Sequence, residues 1–412
     1  MDHLSTREER KARWYSKVMP RFLQIVPAQK RQDILNGTND NLTSIPFSWI
    51  QKDVTDDPSS ITDLLHTCLR KDGFVVISGV LSDDECQIAL NQAWDWLEVA
   101  SRAEDSLQAS ETQQTCPWID RNDVTTLRSG IFPTSLEGGV LPFHGSGHST
   151  AAWAIRSHPS VRAIYEALFQ TDDLIASLDG MVLWHSHQVL MDSGWFHVDQ
   201  NPREKPEFCS YQGLLNLLPV TPCTGGNVIV RGSHDLFPDH YRNHPDPNCR
   251  EFYNMRLDEL NGDDWMEIDP NDHAAVDPQK VISLLLEPGD FLLWDSRTIH
   301  CSHPPSATSF ACLPPQLVRA ATLVTMMPTT WANSDVLQKR KDAVQRQRTL
   351  SHWANRVAPL GAECDEQVQL EAARVDFIRQ WQAATRQVIL CNWDDLSPYQ
   401  QSLVVGKEAR NE

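Results

Sequence analysis

Short apolar runs separated by turn residues dominate the middle of the chain. Between Leu178 and about Met327 they recur as MVLWHSHQVL, YQGLLNLL, GNVIVRG, KVISLLLEPGDFLLW and LVRAATLVTMM. Runs of this length, rich in β-branched and aromatic residues and bounded by Gly or Pro, are typical of β-strands. Many short strands in succession predict an antiparallel sandwich or jelly roll.

Helical spacing flanks this strand-rich region. Residues 72–81, DGFVVISGVL, predict a strand, and the capping-box pattern of residues 82–85 predicts a helix that continues to about Leu97. Apolar residues at helical spacing predict a further helix over residues 159–169. Residues 101–150 are rich in Ser, Thr, Gly and Pro, so we expect a long loop region in which the segment FHGSGHS lies at the surface.

These patterns predict an α+β fold class, mainly β with flanking helices. We expect a polar N-terminal extension over residues 1–60, the main domain over residues 61–334, and C-terminal helices over residues 335–412 that pack on that domain. Residues 235–280 interrupt the strands and hold 12 acidic and 4 basic residues. We interpret them as a solvated insertion, with a lid over a site as the alternative.

Charge and cysteine content limit the function classes. Lys and Arg number 36 against 55 Asp and Glu, which gives a net charge of −19 and disfavours nucleic acid as a partner. No run approaches the roughly 18 apolar residues of a membrane span, and the charged N-terminus lacks the apolar core of a signal peptide. The 10 cysteines include no Cys-x-x-Cys pair, so we expect free thiols and a cytoplasmic protein.

The most informative local pattern is His197-Val198-Asp199. In a strand, residues two apart project from the same face, so an imidazole and a carboxylate would point to one place. Such a pair supplies two of the three ligands of the 2-His-1-carboxylate triad that binds Fe(II). His300, at the end of another apolar run, is the candidate for the third ligand. The alternative is a hydrogen-bonded His/Asp pair without a metal.

The spacing by itself is a weak signal. With 15 His and 55 acidic residues, about two His-x-Asp/Glu matches arise by chance. The chain has one besides the pair at residue 197, His244-Pro245-Asp246. It lies in the Pro-rich acidic insertion, where no predicted strand would align the two side chains, and we do not expect it to be a ligand pair.

Five motifs follow one another over about residues 72–327. They are residues 72–76 with 81–85 (DGFVV and LSDDE), 197–199 (HVD), 224–234 (TGGNVIVRGSH), 289–302 (GDFLLWDSRTIHCS) and 317–321 (LVRAA). In this order they resemble the phytanoyl-CoA dioxygenase family of Fe(II)/2-oxoglutarate-dependent oxygenases. The resemblance implies a double-stranded β-helix core, a form of jelly roll, with Fe(II) as cofactor and 2-oxoglutarate and O₂ as cosubstrates.

The resemblance also implies a set of cosubstrate-binding residues. Arg319 would bind the distal carboxylate of 2-oxoglutarate, because a guanidinium fork matches a carboxylate in a bidentate pair. The alternative for Arg319 is a side chain that reaches solvent from an edge strand. Ser302 would add a hydrogen bond to the same carboxylate, or else cap a turn. His187 and Gln188 would line the cosubstrate pocket.

The activity implied by the resemblance is hydroxylation or desaturation of an unidentified small organic substrate, with succinate and CO₂ as coproducts. His197, Asp199 and His300 are then the metal ligands and the catalytic residues. Asp199 favours these reactions over halogenation, since related halogenases replace this carboxylate with a small residue. Two alternatives stay open: a metal enzyme of cupin-like fold that does not use 2-oxoglutarate, and a non-catalytic jelly-roll binding protein.

Overall fold

Two β-sheets lie face to face at the centre of the computed structural model. Val182, Leu214 and Val318 of one sheet share a buried apolar cluster with Ile229 and Ile282 of the other. We call this cluster the inter-sheet layer. Polar side chains that point inward from either sheet project into it.

The structure describes residues 24–26, 44–50, 58–108, 118–127, 131–136, 139–186, 196–221, 223–259, 265–269, 271–303, 314–361 and 364–407. The statements below concern these residues. His187 and Gln188, which the sequence assigns to the cosubstrate pocket, lie outside them.

The described strands form a larger sheet, a smaller sheet and a separate antiparallel pair, which consists of Leu174–Ala176 and Met326–Pro328. The strands are β1 Gln24–Val26, β2 Ser44–Pro46, β3 Phe74–Ser78, β4 Val140–Leu141, β5 Leu174–Ala176, β6 Met181–His185, β7 His197–Val198, β8 Tyr211–Asn216, β9 Gly226–Val230, β10 Met266–Glu267, β11 Val281–Leu284, β12 Phe291–Asp295, β13 His300–His303, β14 Leu317–Leu323 and β15 Met326–Pro328. The larger sheet has the order β2-β3-β12-β8-β14-β6-β4, and the smaller sheet has the order β1-β11-β9-β13-β7-β10.

The chain crosses repeatedly between the two sheets. β6, β8, β12 and β14 belong to the larger sheet, whereas β7, the consecutive strands β9 to β11, and β13 lie between them along the chain and belong to the smaller one. Neighbouring strands are antiparallel except for β1 with β11 and β2 with β3. The predicted strand-rich region is confirmed, because each of its five apolar runs contains at least one strand.

Helices cover the outer face of the larger sheet. The helices are α1 Pro58–Asp72, α2 Asp83–Gln108, α3 Thr150–Arg156, α4 Pro159–Phe169, α5 Asp239–Arg242, α6 Pro247–Glu259, α7 Ser334–Gln345, α8 Asp365–Thr385 and α9 Pro398–Val405. Apolar side chains of α1, α2 and α4 share one buried cluster with those of β3, β8 and β12. None of the described helices combines the length and apolarity that crossing a bilayer requires.

The limits of α4 agree with the sequence prediction. Pro159 occupies the first turn, where its missing N–H costs no hydrogen bond, and the His158 side chain accepts from the backbone N–H of Ser160. Gln170 ends the helix in the left-handed conformation. The helix therefore has local start and stop signals that the sequence displays.

The loop predicted over residues 101–150 is wrong at its start and in its exposure. α2 continues to Gln108, and the segment FHGSGHS is buried, with His144 and His148 fully shielded from solvent. His144 lies 3.2 Å from a carboxylate oxygen of Glu104, and His148 lies 2.9 Å from the backbone carbonyl of Arg348. Polar composition indicated a surface loop, but the fold buries these side chains against partners that are distant in sequence.

The acidic insertion also needs a correction. Tyr241 and Tyr253 of the insertion share a buried cluster with Val198, Val228 and Val230 of the smaller sheet. This cluster lies on the opposite face of that sheet from the inter-sheet layer, because successive residues of a strand alternate in direction and Ile229 faces inward. The insertion is thus a packed outer layer of the smaller sheet and not a purely solvated segment.

The C-terminal helices form hydrogen bonds to elements much earlier in the chain. The buried guanidinium of Arg340 in α7 donates to the carbonyls of Ala176, Leu403 and Val404. Glu371 of α8 accepts from the backbone N–H groups of the buried FHGSGHS segment. These contacts tie the last part of the chain to β5 and to the segment before α3.

Candidate metal centre

His197 and His300 are neighbours across two antiparallel strands. β7 lies between β10 and β13, and His197 pairs with Glu267 on one side and with His300 on the other. The two imidazole centroids are 4.3 Å apart. The His300 ring also lies 5.4 Å from the ring of Trp294, a residue of the larger sheet. Both histidines therefore face the inter-sheet layer.

Asp199 completes the group one residue after β7 ends. Its backbone N–H donates to the carbonyl of Ser296 at 3.0 Å, which holds the chain in place there. Its Oδ1 lies 3.4 Å from Nε2 of His197, and its Oδ2 lies 3.2 Å from Nε2 of His300. One ligand atom from each of the three residues lies within 4.8 Å of the others. The structure thus brings together the three residues that the sequence singled out.

The backbone fixes the orientation of the His300 ring. Nδ1 of His300 lies 3.0 Å from the carbonyl oxygen of Thr298. A carbonyl oxygen only accepts, so Nδ1 carries the proton and donates it, which leaves the Nε2 lone pair directed toward Asp199. A ligating histidine is commonly held by such a contact on its other ring nitrogen.

The electrostatics of the group favour a charged Asp199. Burial raises the pKa of this carboxyl, but the charges of His300 and His197 outweigh that effect and hold its pKa well below the ordinary value. Burial lowers the pKa of His300, and the Asp199 carboxylate reverses this, so that the pKa of His300 is raised. An anionic oxygen and two imidazoles that attract positive charge are a suitable donor set for a cation.

Arg319 occupies an unusual electrostatic position. It projects from β14, is 2% exposed, and its guanidinium carbon lies 5.4 Å from the centroid of the Trp184 ring. Burial lowers the pKa of Arg319 to about 10, with no anionic group acting against this effect. Among the described residues, its Nε and Nη1 have no hydrogen-bond partner. A buried cation in this state is costly unless an anion compensates it.

One hydrogen bond links Arg319 to β9, the neighbour of the strand that carries His300. Nη2 of Arg319 donates to Oδ1 of Asn227, which is buried in β9. Asn227 pairs across the sheet with Ser302, two residues beyond His300 on β13. Since residues two apart share a face, Ser302 and His300 point to the same side of the smaller sheet. The guanidinium and the metal group therefore face the same inter-sheet layer.

Two contributors to the site escaped the sequence interpretation. Asn227 was part of a recognised motif, and its only separate signal is that it is polar within the apolar run GNVIVRG. His352 follows α7 and lies close enough for its charge to lower the pKa of Asp199. No local pattern marks His352, because only the fold brings the C-terminal segment to this place.

Comparisons with known proteins agree with this site. The model of the family described as phytanoyl-CoA dioxygenase (PhyH) matches residues 177–309, a segment that contains His197, Asp199 and His300. Ava biosynthesis cluster protein O of Aspergillus versicolor is 26% identical over 307 residues, which are 72% of this chain and 88% of that protein.

Solved structures are similar at a lower level. The epimerase SnoN, in complex with Fe3+, alpha ketoglutarate and nogalamycin RO, is 18% identical with a TM-score of 0.39, over 66% of this chain and 85% of its own. GlcNAc Inducible Gene 2 of Candida albicans is 12% identical with a TM-score of 0.48, over 99% of this chain and 91% of its own. The family match stands independently of these distant likenesses. The match of residues 177–309 to the phytanoyl-CoA dioxygenase family model confirms the resemblance carried by the sequence motifs.

Proposed function

We propose that this protein is an Fe(II)/2-oxoglutarate-dependent dioxygenase that hydroxylates or desaturates a small organic substrate and releases succinate and CO₂. The observation that carries the proposal is Arg319, a buried guanidinium with two unpaired N–H groups that faces the same layer as the His197, Asp199 and His300 group. A dianion that chelates the metal at one end could bind Arg319 with its other end.

The donor set fits iron. Two imidazoles and one carboxylate form the 2-His-1-carboxylate triad, which leaves further coordination positions open on Fe(II). The Thr298 carbonyl holds His300 in the tautomer that offers Nε2. When bound, Fe(II) supplies the oxygen-dependent redox chemistry, and the protein supplies position and surroundings.

Arg319 is proposed to hold the carboxylate of 2-oxoglutarate that is distant from the metal. Among the described residues, its Nε and Nη1 are the two nitrogens without a partner, and Nη2 keeps one N–H besides the one donated to Asn227. One edge of the guanidinium, formed by Nη2 with either Nε or Nη1, is therefore open to a carboxylate with two charge-assisted hydrogen bonds. Asn227 restrains the third nitrogen, Nη2, and Trp184 lies against one face of the guanidinium. These contacts would set the fork before the cosubstrate arrives. Ser302, opposite Asn227, is proposed to add a hydrogen bond.

The strand arrangement supports a double-stranded β-helix as the core. Strands β6, β14, β8 and β12 are neighbours in the larger sheet, and β7, β13, β9 and β11 are neighbours in the smaller one. Along the chain the two sets alternate except at β9 and β11, which follow each other within the smaller sheet. A jelly roll of eight strands in two sheets has this organisation.

The class of substrate is proposed from the relatives and from the charge. The Aspergillus relative is named after a biosynthesis cluster, which favours a small organic metabolite. A net charge of −19 disfavours a polyanionic substrate such as a coenzyme A thioester. The eight cysteines in the described part of the chain lie outside disulfides, four of them exposed or half-buried, and this supports the reducing environment of the cytoplasm.

The test measures O₂ consumption and succinate release by the purified chain with Fe(II) and 2-oxoglutarate. We expect succinate in proportion to the O₂ consumed, and loss of both in Asp199→Ala. Asp235→Ala, which removes an exposed carboxylate outside the metal group, is the matched control and should retain both. O₂ uptake without succinate would indicate the metal enzyme that does not use 2-oxoglutarate, and iron binding without O₂ uptake would indicate a binding protein.

A further inference from the structure

A second group of possible metal ligands lies in the acidic insertion. His240 in α5, His244 two residues after that helix, and Asp272 in the segment after β10 each offer one ligand atom within 4.8 Å of the others. Their neighbours Tyr241 and Tyr253 belong to the cluster on the outer face of the smaller sheet. The group is therefore separated by that sheet from the His197, Asp199 and His300 group.

Two imidazoles converge on one carboxylate in this group. Nε2 of His240 lies 2.7 Å from Oδ2 of Asp272, and Nε2 of His244 lies 3.3 Å from Oδ1. The two imidazole rings are nearly perpendicular, at 89°, with centroids 4.5 Å apart. The two imidazole nitrogens approach the two oxygens of one carboxylate, and their rings lie in different planes. The three side chains therefore surround one position that a cation could occupy.

Within the described part of the chain, hydrogen bonds in this group leave one of its buried nitrogen atoms without a partner. The side chain of Asp272 is 1% exposed and that of His244 is 6% exposed. Nε2 of His244 is buried, yet among the described residues it has no partner with hydrogen-bond geometry. Buried polar atoms are normally satisfied, so a single unsatisfied nitrogen that points at a carboxylate indicates a missing partner between them.

The other contacts of these residues are compatible with a bound metal. Asp272 accepts from the hydroxyl of Tyr253 at 2.7 Å and from the backbone N–H of Ala275 at 3.1 Å, so its position is fixed. The backbone N–H of Asp246 is directed at Nδ1 of His244 at 3.1 Å, and Nδ1 also lies 3.3 Å from the carbonyl oxygen of Asp246. A metal at Nε2 requires the proton on Nδ1, which would then donate to that carbonyl and no longer accept from the N–H.

We propose that His240, His244 and Asp272 bind a zinc ion that is distinct from the candidate iron centre. Imidazole nitrogen and carboxylate oxygen are ordinary zinc ligands, and a water molecule would complete a tetrahedral site. Two imidazoles disfavour Mg²⁺ and Ca²⁺, which take oxygen ligands. The excess of acidic over basic residues in the insertion attracts a cation to this face.

The zinc would fix the insertion against the strand that carries His197. β10 lies between α6 and Asp272 in the chain, and its residues Met266 and Glu267 pair with Val198 and His197 of β7. A zinc ion bound by Asp272 and by the two histidines at the start of the insertion would connect the chain before β10 with the chain after it. Removal of the zinc should therefore lower the thermal unfolding midpoint of the whole chain.

The experiment separates this site from the first one. The full chain with His197→Ala and Asp199→Ala is stripped with a chelator, returned to zinc, and its bound zinc is measured by mass spectrometry. We expect one equivalent per chain, and visible d–d bands of a tetrahedral complex when Co²⁺ replaces zinc. Adding His244→Gln should remove the bound zinc, whereas adding Asp246→Asn, the matched neighbour whose carboxylate is outside the group, should not.

Several results would overturn the proposal. They are a folded His197→Ala/Asp199→Ala protein that retains no zinc, equal zinc content with and without His244→Gln, and preference for Fe(II) over zinc in a competition. If the variant with His244→Gln does not fold, the zinc content of the double variant alone decides. The proposed oxygenase function is not at stake in this experiment, because the double variant lacks the first site.

Discussion

Arg319 combines complete burial with an unfinished set of hydrogen bonds, and this makes its chemistry specific. A lysine at this position would keep the positive charge but lose the planar fork. Hydrogen bonds to charged groups contribute roughly 1.5–3 kcal/mol each. We therefore predict that Arg319→Lys raises the KM for 2-oxoglutarate roughly tenfold to a hundredfold. The measurement is succinate release over a 2-oxoglutarate series.

The matched control for this prediction is Arg346→Lys, at an exposed position after α7. It should leave the KM for 2-oxoglutarate unchanged. An unaltered KM in Arg319→Lys would show that the positive charge alone suffices, and that the unpaired fork has no part in binding.

At the residue scale, the sequence identified the three candidate metal ligands but only part of their surroundings. His197 and Asp199 follow from the two-residue period of a strand, and His300 follows from the order of motifs. Asn227 and the Thr298 carbonyl depend on the register between β9 and β13 and on the turn before β13. Register is a property of strand pairing, and no local pattern in this chain specifies it.

At the scale of elements, the turn before β4 constrains the strand that carries Trp184. Gly139 has a φ of +80°, and a Cβ atom there would lie 1.6 Å from Nε1 of Trp184. Gly139→Ala must therefore displace the indole that lies against Arg319. We predict a loss of about 2–4 kcal/mol in the free energy of unfolding, from steric overlap together with backbone strain, and a weaker affinity for 2-oxoglutarate.

Gly79→Ala isolates the backbone contribution. Gly79 has a φ of +69°, but an added Cβ would meet nothing within 4 Å. We expect this variant to lose only about 1 kcal/mol. Urea unfolding of both variants measures the difference, and equal losses would contradict the account of Trp184 packing.

Glu371 of α8 makes the free energy of unfolding depend on pH. Burial raises the pKa of this carboxyl to about 7, against the hydrogen bonds from the N–H groups of Gly145 and His144. Its folded pKa lies above the unfolded value of 4.5, so the folded state retains a proton that the unfolded state has lost. The stability from Glu371 is thus fully present below about pH 4.5 and is lost as the pH rises through 7.

The resulting prediction compares two variants. Between pH 5 and pH 8, the wild type should lose up to about 3 kcal/mol more in free energy of unfolding than Glu371→Gln. Glu366→Gln, at an exposed position in the first turn of the same helix, should behave as the wild type. Denaturant unfolding at the two pH values gives the comparison, and parallel losses in wild type and Glu371→Gln would refute it.

Elements with strong local signals were predictable, and those that depend on distant partners were not. α4 has its proline, its cap and its apolar spacing within residues 158–170. The FHGSGHS segment has only small and polar residues after Phe143, and its burial depends on Glu104, Arg348 and Glu371. Composition describes a segment's own preference, whereas burial of a polar segment depends on where its partners are.

At the scale of the whole molecule, the C-terminal helices and the sheets should unfold together. The guanidinium of Arg340 is fully buried and its hydrogen bonds reach Ala176 in β5 and Val404 in α9. Separating these parts would leave a buried charge without partners, which is strongly unfavourable. We predict a single calorimetric transition for the full chain, and loss of cooperative unfolding when residues 335–412 are removed.

Deletion of residues 408–412 alone is the control and should retain the single transition. Two resolved transitions in the full chain would show instead that the C-terminal helices are an independent unit. The domain limits drawn from the sequence stay a prediction until this result is known, because hydropathy patterns locate elements and do not reveal which of them unfold together.

The central claim is that one inter-sheet layer binds a metal and 2-oxoglutarate together. Its most direct test is an anaerobic titration of the chain with Fe(II) and then 2-oxoglutarate, followed by the visible charge-transfer absorption of the chelate. We predict that the band appears in the wild type, is absent in Asp199→Ala, and requires much more 2-oxoglutarate in Arg319→Lys. Iron binding without the band in the wild type would contradict the claim.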